Sequence, residues 1–186
     1  MLKGIRTRLI IVPRYNHFIP DIVSKLNSYN FPLILRSDIP KDEIDPEKVV
    51  IVDTFGELMY LYALSSIIVI GGSFFLRNPC GFGQNIVEPL LHSKPVFFGP
   101  YMEQFREITG RLLSVWGGME IRTSEELSNN IEYLLNDKPL CQNIISSIKS
   151  IVSENSESAT KSVDFIKNTV LSNVRISIPE SGKYVI

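Results

Sequence analysis

Glycines, a serine, two arginines and several carboxylates fall at one kind of place in this 186-residue sequence, directly after short apolar runs. Pro13 and Arg14 follow the run 9–12, Arg36 and Ser37 follow 32–35, and Asp53, Thr54, Phe55, Gly56 and Glu57 follow 49–52. Gly71, Gly72 and Ser73 follow 67–70, and a longer loop then carries Gly81, Phe82, Gly83, Gln84 and Asn85. Gly99 and Pro100 follow 95–98. Together these residues have the chemistry of a nucleotide pocket. A phosphate needs backbone N–H groups and positive potential, and a helix N-terminus supplies both. The glycines let backbone approach closely, and Ser73 offers a hydroxyl donor. Glu88, one turn into the helix after Asn85, suits the two hydroxyls of a ribose. Arg14 can pair with a phosphate or a sugar carboxylate in bidentate fashion.

Each residue also has a plainer reading. Thr54-x-x-Glu57 and Asn85-x-x-Glu88 both fit capping boxes, and taken alone each reads better as a cap than as a ligand site. Gly71-Gly72 alone is a turn, and Arg14 alone a solvated charge. His17 and His92 read as surface or helix-end residues without an acidic partner. No Gly-x-Ser-x-Gly, phosphate-binding Walker loop or Gly-x-Gly-x-x-Gly opens a helix. What favours the pocket is that all the polar residues gather after strands.

The elements that position them alternate. Strands are expected at 9–12, 32–35, 49–52, 67–70, 95–98 and 118–121, each a short apolar or β-rich run. Helical spacing falls at 19–28, 57–64, 86–92, 104–113 and 124–135, and a more polar helix runs over 141–170. Unbroken apolar strands separated by helices predict a buried parallel sheet with right-handed crossovers, a doubly wound α/β domain. Ligands bind at the carboxyl ends of such strands. The nucleotide-binding domain is expected over 1–170, with a tail over 171–186.

Composition narrows the partners. The net charge is -1 and no basic run is present, so no nucleic-acid partner is expected. Cys80 and Cys141 have no zinc-ligand spacing and read as free thiols of a reducing, cytoplasmic compartment. The apolar runs are too short for a membrane span or a signal peptide.

The order of the pieces is more specific than any one of them. LIIVPR, LRSD, VDTFGELMYLYALSSIIVIGGSF, NIVEPLLHSKPVFFGP and FREI occur in that order. Over roughly Arg8 to Leu135 this resembles the 3-deoxy-D-manno-octulosonic acid (Kdo) transferases of lipopolysaccharide synthesis. The resemblance implies the Rossmann-like C-terminal half of a GT-B glycosyltransferase that holds CMP-Kdo and transfers Kdo to a lipid A precursor, with no metal or other cofactor. It places Arg14 at the phosphate or cytidine, and Phe55, Gly56 and Glu57 along the nucleotide. Gly72 and Ser73 form the turn under the donor, and Gln84, Asn85 and Glu88 sit at the phosphate end and ribose. Three positions depart from the family's pattern: Tyr15 for its His, Phe55 for its Met, and Gln84 for a second His. Gln can hydrogen-bond but cannot carry a proton. The resemblance assigns acceptor binding, the catalytic acidic residue and peripheral contact with the inner membrane to an N-terminal domain that this sequence does not contain. The chain alone is therefore expected to be inactive. A UDP-sugar-using GT-B enzyme and a non-catalytic binding module of the same fold are the alternatives.

Overall fold

The computed structural model describes residues 7–39, 47–75 and 85–166. In chain order the elements are β1 (Ile10–Ile11), α1 (Ile19–Ser28), β2 (Leu33–Leu35), β3 (Val49–Ile51), α2 (Leu58–Leu64) and β4 (Ile68–Ile70). Then come α3 (Val87–Leu91), β5 (Val96–Phe98), α4 (Arg106–Ser114), β6 (Gly118–Glu120), α5 (Ser124–Asn136) and α6 (Lys138–Ile166). Every expected strand is present, one or two residues shorter than its apolar run. Among the described residues four single 3-10 turns follow strands, at Asn16–Phe18, Arg36–Asp38, Gly71–Ser73 and Glu103–Phe105.

All strand pairs are parallel, but the expected single sheet is two three-stranded sheets among the described residues, β1-β3-β2 and β4-β5-β6. β3 sets Val50 opposite Ile10 on one side and Ile34 on the other. β5 sets Val96 opposite Ile68 and Gly118. Apolar runs identify strands without naming their neighbours, which is why the split escapes a sequence reading. Burial on both faces holds only for the two central strands, whose residues are all buried. In β1 and its flanks Leu9, Ile10 and Val12 stay exposed, as edge positions can.

The core lies around the second sheet. Phe97 and Phe98 are 1% exposed, and Leu112 of α4, Leu134 of α5 and Ile144, Ile148 and Ile151 of α6 close over it. The three isoleucines stand four and three residues apart, the spacing of one helical stripe. Each such side chain contributes about 1.5–3 kcal/mol by leaving water. α5 starts with a true capping box. Thr123 Oγ1 accepts from the Glu126 N–H at 3.1 Å, and the Glu126 carboxylate accepts from the Thr123 N–H at 3.3 Å. α1 carries Pro20 in its first turn, Asp21 near its positive end and Lys25 near its negative end. Among the described residues no helix is long and apolar enough to cross a membrane.

Candidate functional site

The carboxyl ends of β1, β2 and β3 are tied by side chains. After β1 the chain turns through Arg14 and Tyr15 into the Asn16–Phe18 turn. The Asn16 amide donates to the Asp53 carbonyl at 2.9 Å. After β2, Ser37 donates twice to the Asp53 carboxylate, from its N–H at 2.9 Å and its hydroxyl at 2.6 Å. These bonds, with the Ser37 hydroxyl first, hold the Asp53 carboxyl below its ordinary pKa. Arg36 Nε donates to Glu57 Oε2 at 3.0 Å, and the Thr54 hydroxyl donates to the same oxygen at 3.0 Å.

Between these ties sit Phe55 and Gly56. Gly56 has φ +83°, in the left-handed region, and a Cβ there would meet nothing within 4 Å, so its backbone angle, not space, calls for glycine. Phe55 is 85% exposed. Arg14 is exposed too, and its guanidinium lies over the Tyr15 ring, 5.6 Å from the centroid. Tyr15 in turn stacks on His17 at 5.5 Å. The pairing of Thr54 with Glu57 is no capping box: α2 begins at Leu58, and no side chain caps it. The spacing fits a cap, yet the carboxylate turns back to Arg36.

The second group stands after β4 and β5. Ser73 is fully buried. Its hydroxyl donates to the Ile70 carbonyl and accepts the Gly99 N–H at 2.6 Å, while its carbonyl accepts the Tyr101 N–H at 3.0 Å. The expectation that this hydroxyl donates to a ligand is therefore corrected, because Ile70 already takes its proton. Ser73 builds the turn, and its neighbour Gly72 is half-buried. A Cβ on Gly99 would come within 2.4 Å of the Ser73 carbonyl oxygen, so the two strand ends touch backbone to backbone.

Asn85 and Glu88 open α3. Asn85 Oδ1 accepts the Val87 N–H at 2.9 Å, and its amide donates to Glu88 Oε1 at 3.1 Å. The expected Asn85–Glu88 capping box does not form: the N-cap of α3 is Ile86, which has no side-chain cap, and Asn85 stands one position outside it, taking the Val87 N–H and orienting Glu88. The Tyr62 phenol of α2 is pushed up by burial and then by the Glu88 charge, so the two helices meet here. The Tyr62 ring lies 6.4 Å from that of His92, whose Nε2 is buried without a hydrogen-bond partner among the described residues. Gln84 lies outside the described residues, as do Gly81, Gly83 and Cys80. Cys141 is a free thiol, pushed up by burial.

The structure ties the loop that carries Arg14 to the turn that carries Phe55, Gly56 and Glu57 through Asn16 and Asp53, and it joins the Gly71–Ser73 turn to Gly99. Asn85 and Glu88 form a third point, joined to the first group's side of the fold through Tyr62. Sequence reasoning counts Arg36, Ser37 and Asp53 among the strand-end residues of the pocket but gives them no individual role, and it gives none to Asn16. Their signal was position alone; the pairings span up to 37 residues and nothing local announces them.

Comparison with known proteins gives the chain its relatives. A 3-deoxy-D-manno-octulosonic acid transferase of Haemophilus influenzae is 30% identical over 169 residues, 89% of this chain and 38% of that protein. The chain is a relative of the Kdo transferases. The Kdo transferase of Rickettsia bellii is 32% identical over 129 residues, 68% of the chain and 29% of that protein. A bifunctional glycosyltransferase/methyltransferase of Fusobacterium nucleatum is 30% identical over 95% of the chain and 26% of its own length. The chain therefore spans well under half of these curated Kdo transferases and their bifunctional relative. No family model matches. The fold is that of the C-terminal CMP-Kdo binding domain of WaaA from Acinetobacter baumannii, with a TM-score of 0.67 and 23% identity over 81% of this chain and 77% of that one. That likeness places this Kdo transferase relative in the GT-B, doubly wound α/β class.

Proposed function

We propose that this chain is the donor-binding part of a glycosyltransferase, holding CMP-Kdo while Kdo passes to a lipid A precursor. One observation carries the reading. The residues matching the Kdo transferase motifs converge on the carboxyl ends of parallel strands, the edge where such folds bind ligands. In this reading Arg14 pairs with the phosphate, and Phe55, Gly56 and Glu57 line the nucleoside. Gly72 brings backbone close to the donor above the turn that Ser73 secures. Glu88, aimed by Asn85, accepts from the ribose hydroxyls, and Gln84 stands at the phosphate end.

The acceptor site and the general base belong to the part of the longer relatives that this chain does not match. A base must lie within hydrogen-bond reach of the acceptor hydroxyl, and no such group is assigned in this chain. The working location is the cytoplasmic face of the inner membrane, reached through that other part. The test is a calorimetric titration with CMP, followed by competition with UDP. Binding of CMP in preference to UDP is the expected result. No heat at millimolar CMP removes the donor-site reading, and preference for UDP moves the chain to another donor class. Glu88→Ala should weaken CMP binding; unchanged affinity would leave Glu88 as part of a helix start only.

A further inference from the structure

Among the described residues the two sheets have four edge strands, β1, β2, β4 and β6. A sheet edge offers unpaired N–H and C=O groups, and proteins blunt such edges with charges, proline, bulges or a covering element. Two of the four are blunted. β2 is half-buried along its length, and β6 ends on Glu120, which pairs with Arg122. The other two are not. β1 is isoleucine alone, flanked by Leu9 and Val12, and β4 is isoleucine and valine. Leu9 is 55% exposed, Ile10 36% and Val12 39%. Successive side chains point to opposite faces, so β1 is open on both. The ladders fix which backbone groups point outward. The Val50 N–H donates to the Leu9 carbonyl at 3.0 Å and the Val52 N–H to the Ile11 carbonyl at 2.9 Å. Leu9 and Ile11 thus turn their backbone toward β3, and Ile10 and Val12 turn theirs away. In β4 the Ile68 N–H donates to the Pro95 carbonyl at 3.0 Å, so Val69 is the residue whose backbone points away from β5. Its side chain is 39% exposed between two buried isoleucines. Parallel sheets are ordinarily covered on both faces, and these two edges break that rule.

We infer that β1 and β4 flank the place of a seventh parallel strand, which joins the two sheets into one. The occupant is an extended apolar segment from the part of the longer relatives that this chain does not match. Its direction follows from the strand pairs already present, all of which are parallel. Its chemistry follows from the edges, which carry isoleucine, valine and leucine without a charge. Its source follows from length: the match to the Haemophilus influenzae transferase covers 38% of that protein, so most of its chain lies outside. A second copy of this chain would set β1 on β1 and leave β4 open. Main-chain bonds to Ile10, Val12 and Val69 give the grip, and their exposed side chains gain apolar cover, the usual terms of strand addition. Nothing in this depends on which donor the site holds.

The probe is the part of the Haemophilus influenzae transferase outside the match, produced together with the 186-residue chain. Light scattering should show a one-to-one complex. Amide hydrogen exchange at Ile10, Val12 and Val69 should be fast in the chain alone and slow in the complex, while Val50 and Val52, already bonded to β1, should change little. Val12→Pro takes an N–H from the open edge and none from the β3 ladder. It should lose the complex and keep the thermal midpoint of the chain alone. Ile10→Lys places on β1 the charge that natural sheets use against pairing, and it carries the test if the proline variant does not fold. It too should lose the complex. Absence of a complex overturns the inference. So does a complex in which the three edge amides still exchange fast, or one that both variants form as well as wild type. A dimer of the chain alone with slowed exchange at Ile10 and Val12 also overturns it, by giving the edge to a second copy.

Discussion

The two sheets are built alike and held differently. Around β4-β5-β6 the side chains from four helices and from β4 and β5 form one contiguous buried cluster, with Met119 of β6 packed against it. Around β1-β3-β2 the buried apolar side chains among the described residues are Val49, Val50, Ile51 and Val52. Neither α1 nor α2 buries a single residue. Met59, Tyr60 and Leu64 of α2 remain exposed. What holds the first sheet's site edge is polar: the Asn16–Asp53–Ser37 and Arg36–Glu57–Thr54 ties. Apolar burial is worth more per contact than exposed hydrogen bonds and ion pairs. One half of the site therefore stands on a packed core, and the other on a lattice of modest bonds that salt and local opening can loosen.

Removing bulk from each half should separate them most. Ile148→Ala, at a fully buried position of α6, should cost about 2–5 kcal/mol in urea unfolding. Leu64→Ala, 80% exposed on α2, should change stability by no more than about 0.5 kcal/mol. Equal losses at the two positions would mean that the first half hides a core of its own in solution.

Gly99→Ala comes next. The added methyl would stand 2.4 Å from the Ser73 carbonyl oxygen and 2.7 Å from the Phe74 Cα, both backbone, so neither can swing aside. Overpacking of this kind costs about 1–3 kcal/mol. It should also displace the Gly71–Ser73 turn, so CMP affinity should fall with stability. A variant as stable as wild type with intact CMP binding would show that this junction gives way easily.

These cases also mark what was legible in the sequence. Val49–Ile51 and Val96–Phe98 are unbroken β-branched or aromatic runs, and their strands were plain because burial on both faces leaves no polar residue to confuse the pattern. Leu9–Val12 reads the same way and is an edge. Whether an apolar residue is covered depends on which strand lies beside it, and spacing within one run does not carry that. Arg14, Glu57 and Glu88 came into view through the order of motifs. The partners that set their geometry did not: Thr54-x-x-Glu57 has the letters of a cap and serves as a bridge to Arg36, while Thr123-x-x-Glu126 is the pair that caps. Ser73 looked like a ligand donor because hydroxyls suit phosphates. The structure shows its proton already given to the Ile70 carbonyl and its oxygen taken by the Gly99 N–H, 26 residues away.

Smaller effects are expected on the polar side. Arg36→Ala removes the donor from Glu57 across a half-exposed pair, whose side chains are 39% and 30% accessible. Pairs of this exposure are worth about 0.2–1 kcal/mol, so the global midpoint should barely move. Amide hydrogen exchange over 53–57 should nevertheless quicken, and rising salt should bring wild type part of the way toward the variant. If exchange there stays slow, the turn under Phe55 is held by Gly56 and Thr54 without help from β2.

The smallest expected effect lies where the two halves meet. Burial raises the Tyr62 phenol above its ordinary value of 10.0, and the Glu88 charge raises it further as the lesser cause. A raised folded value favours the neutral phenol, so this stabilisation is intact below pH 10 and is lost as pH climbs through the folded pKa. Glu88→Gln deletes only the lesser cause. Spectrophotometric titration should therefore show the Tyr62 midpoint moving down toward 10.0 while staying above it. A midpoint that falls all the way would mean the α2–α3 contact opens in solution. No movement would place Glu88 too far from the ring to couple the halves, leaving the packed half's carboxylate free for the nucleotide alone.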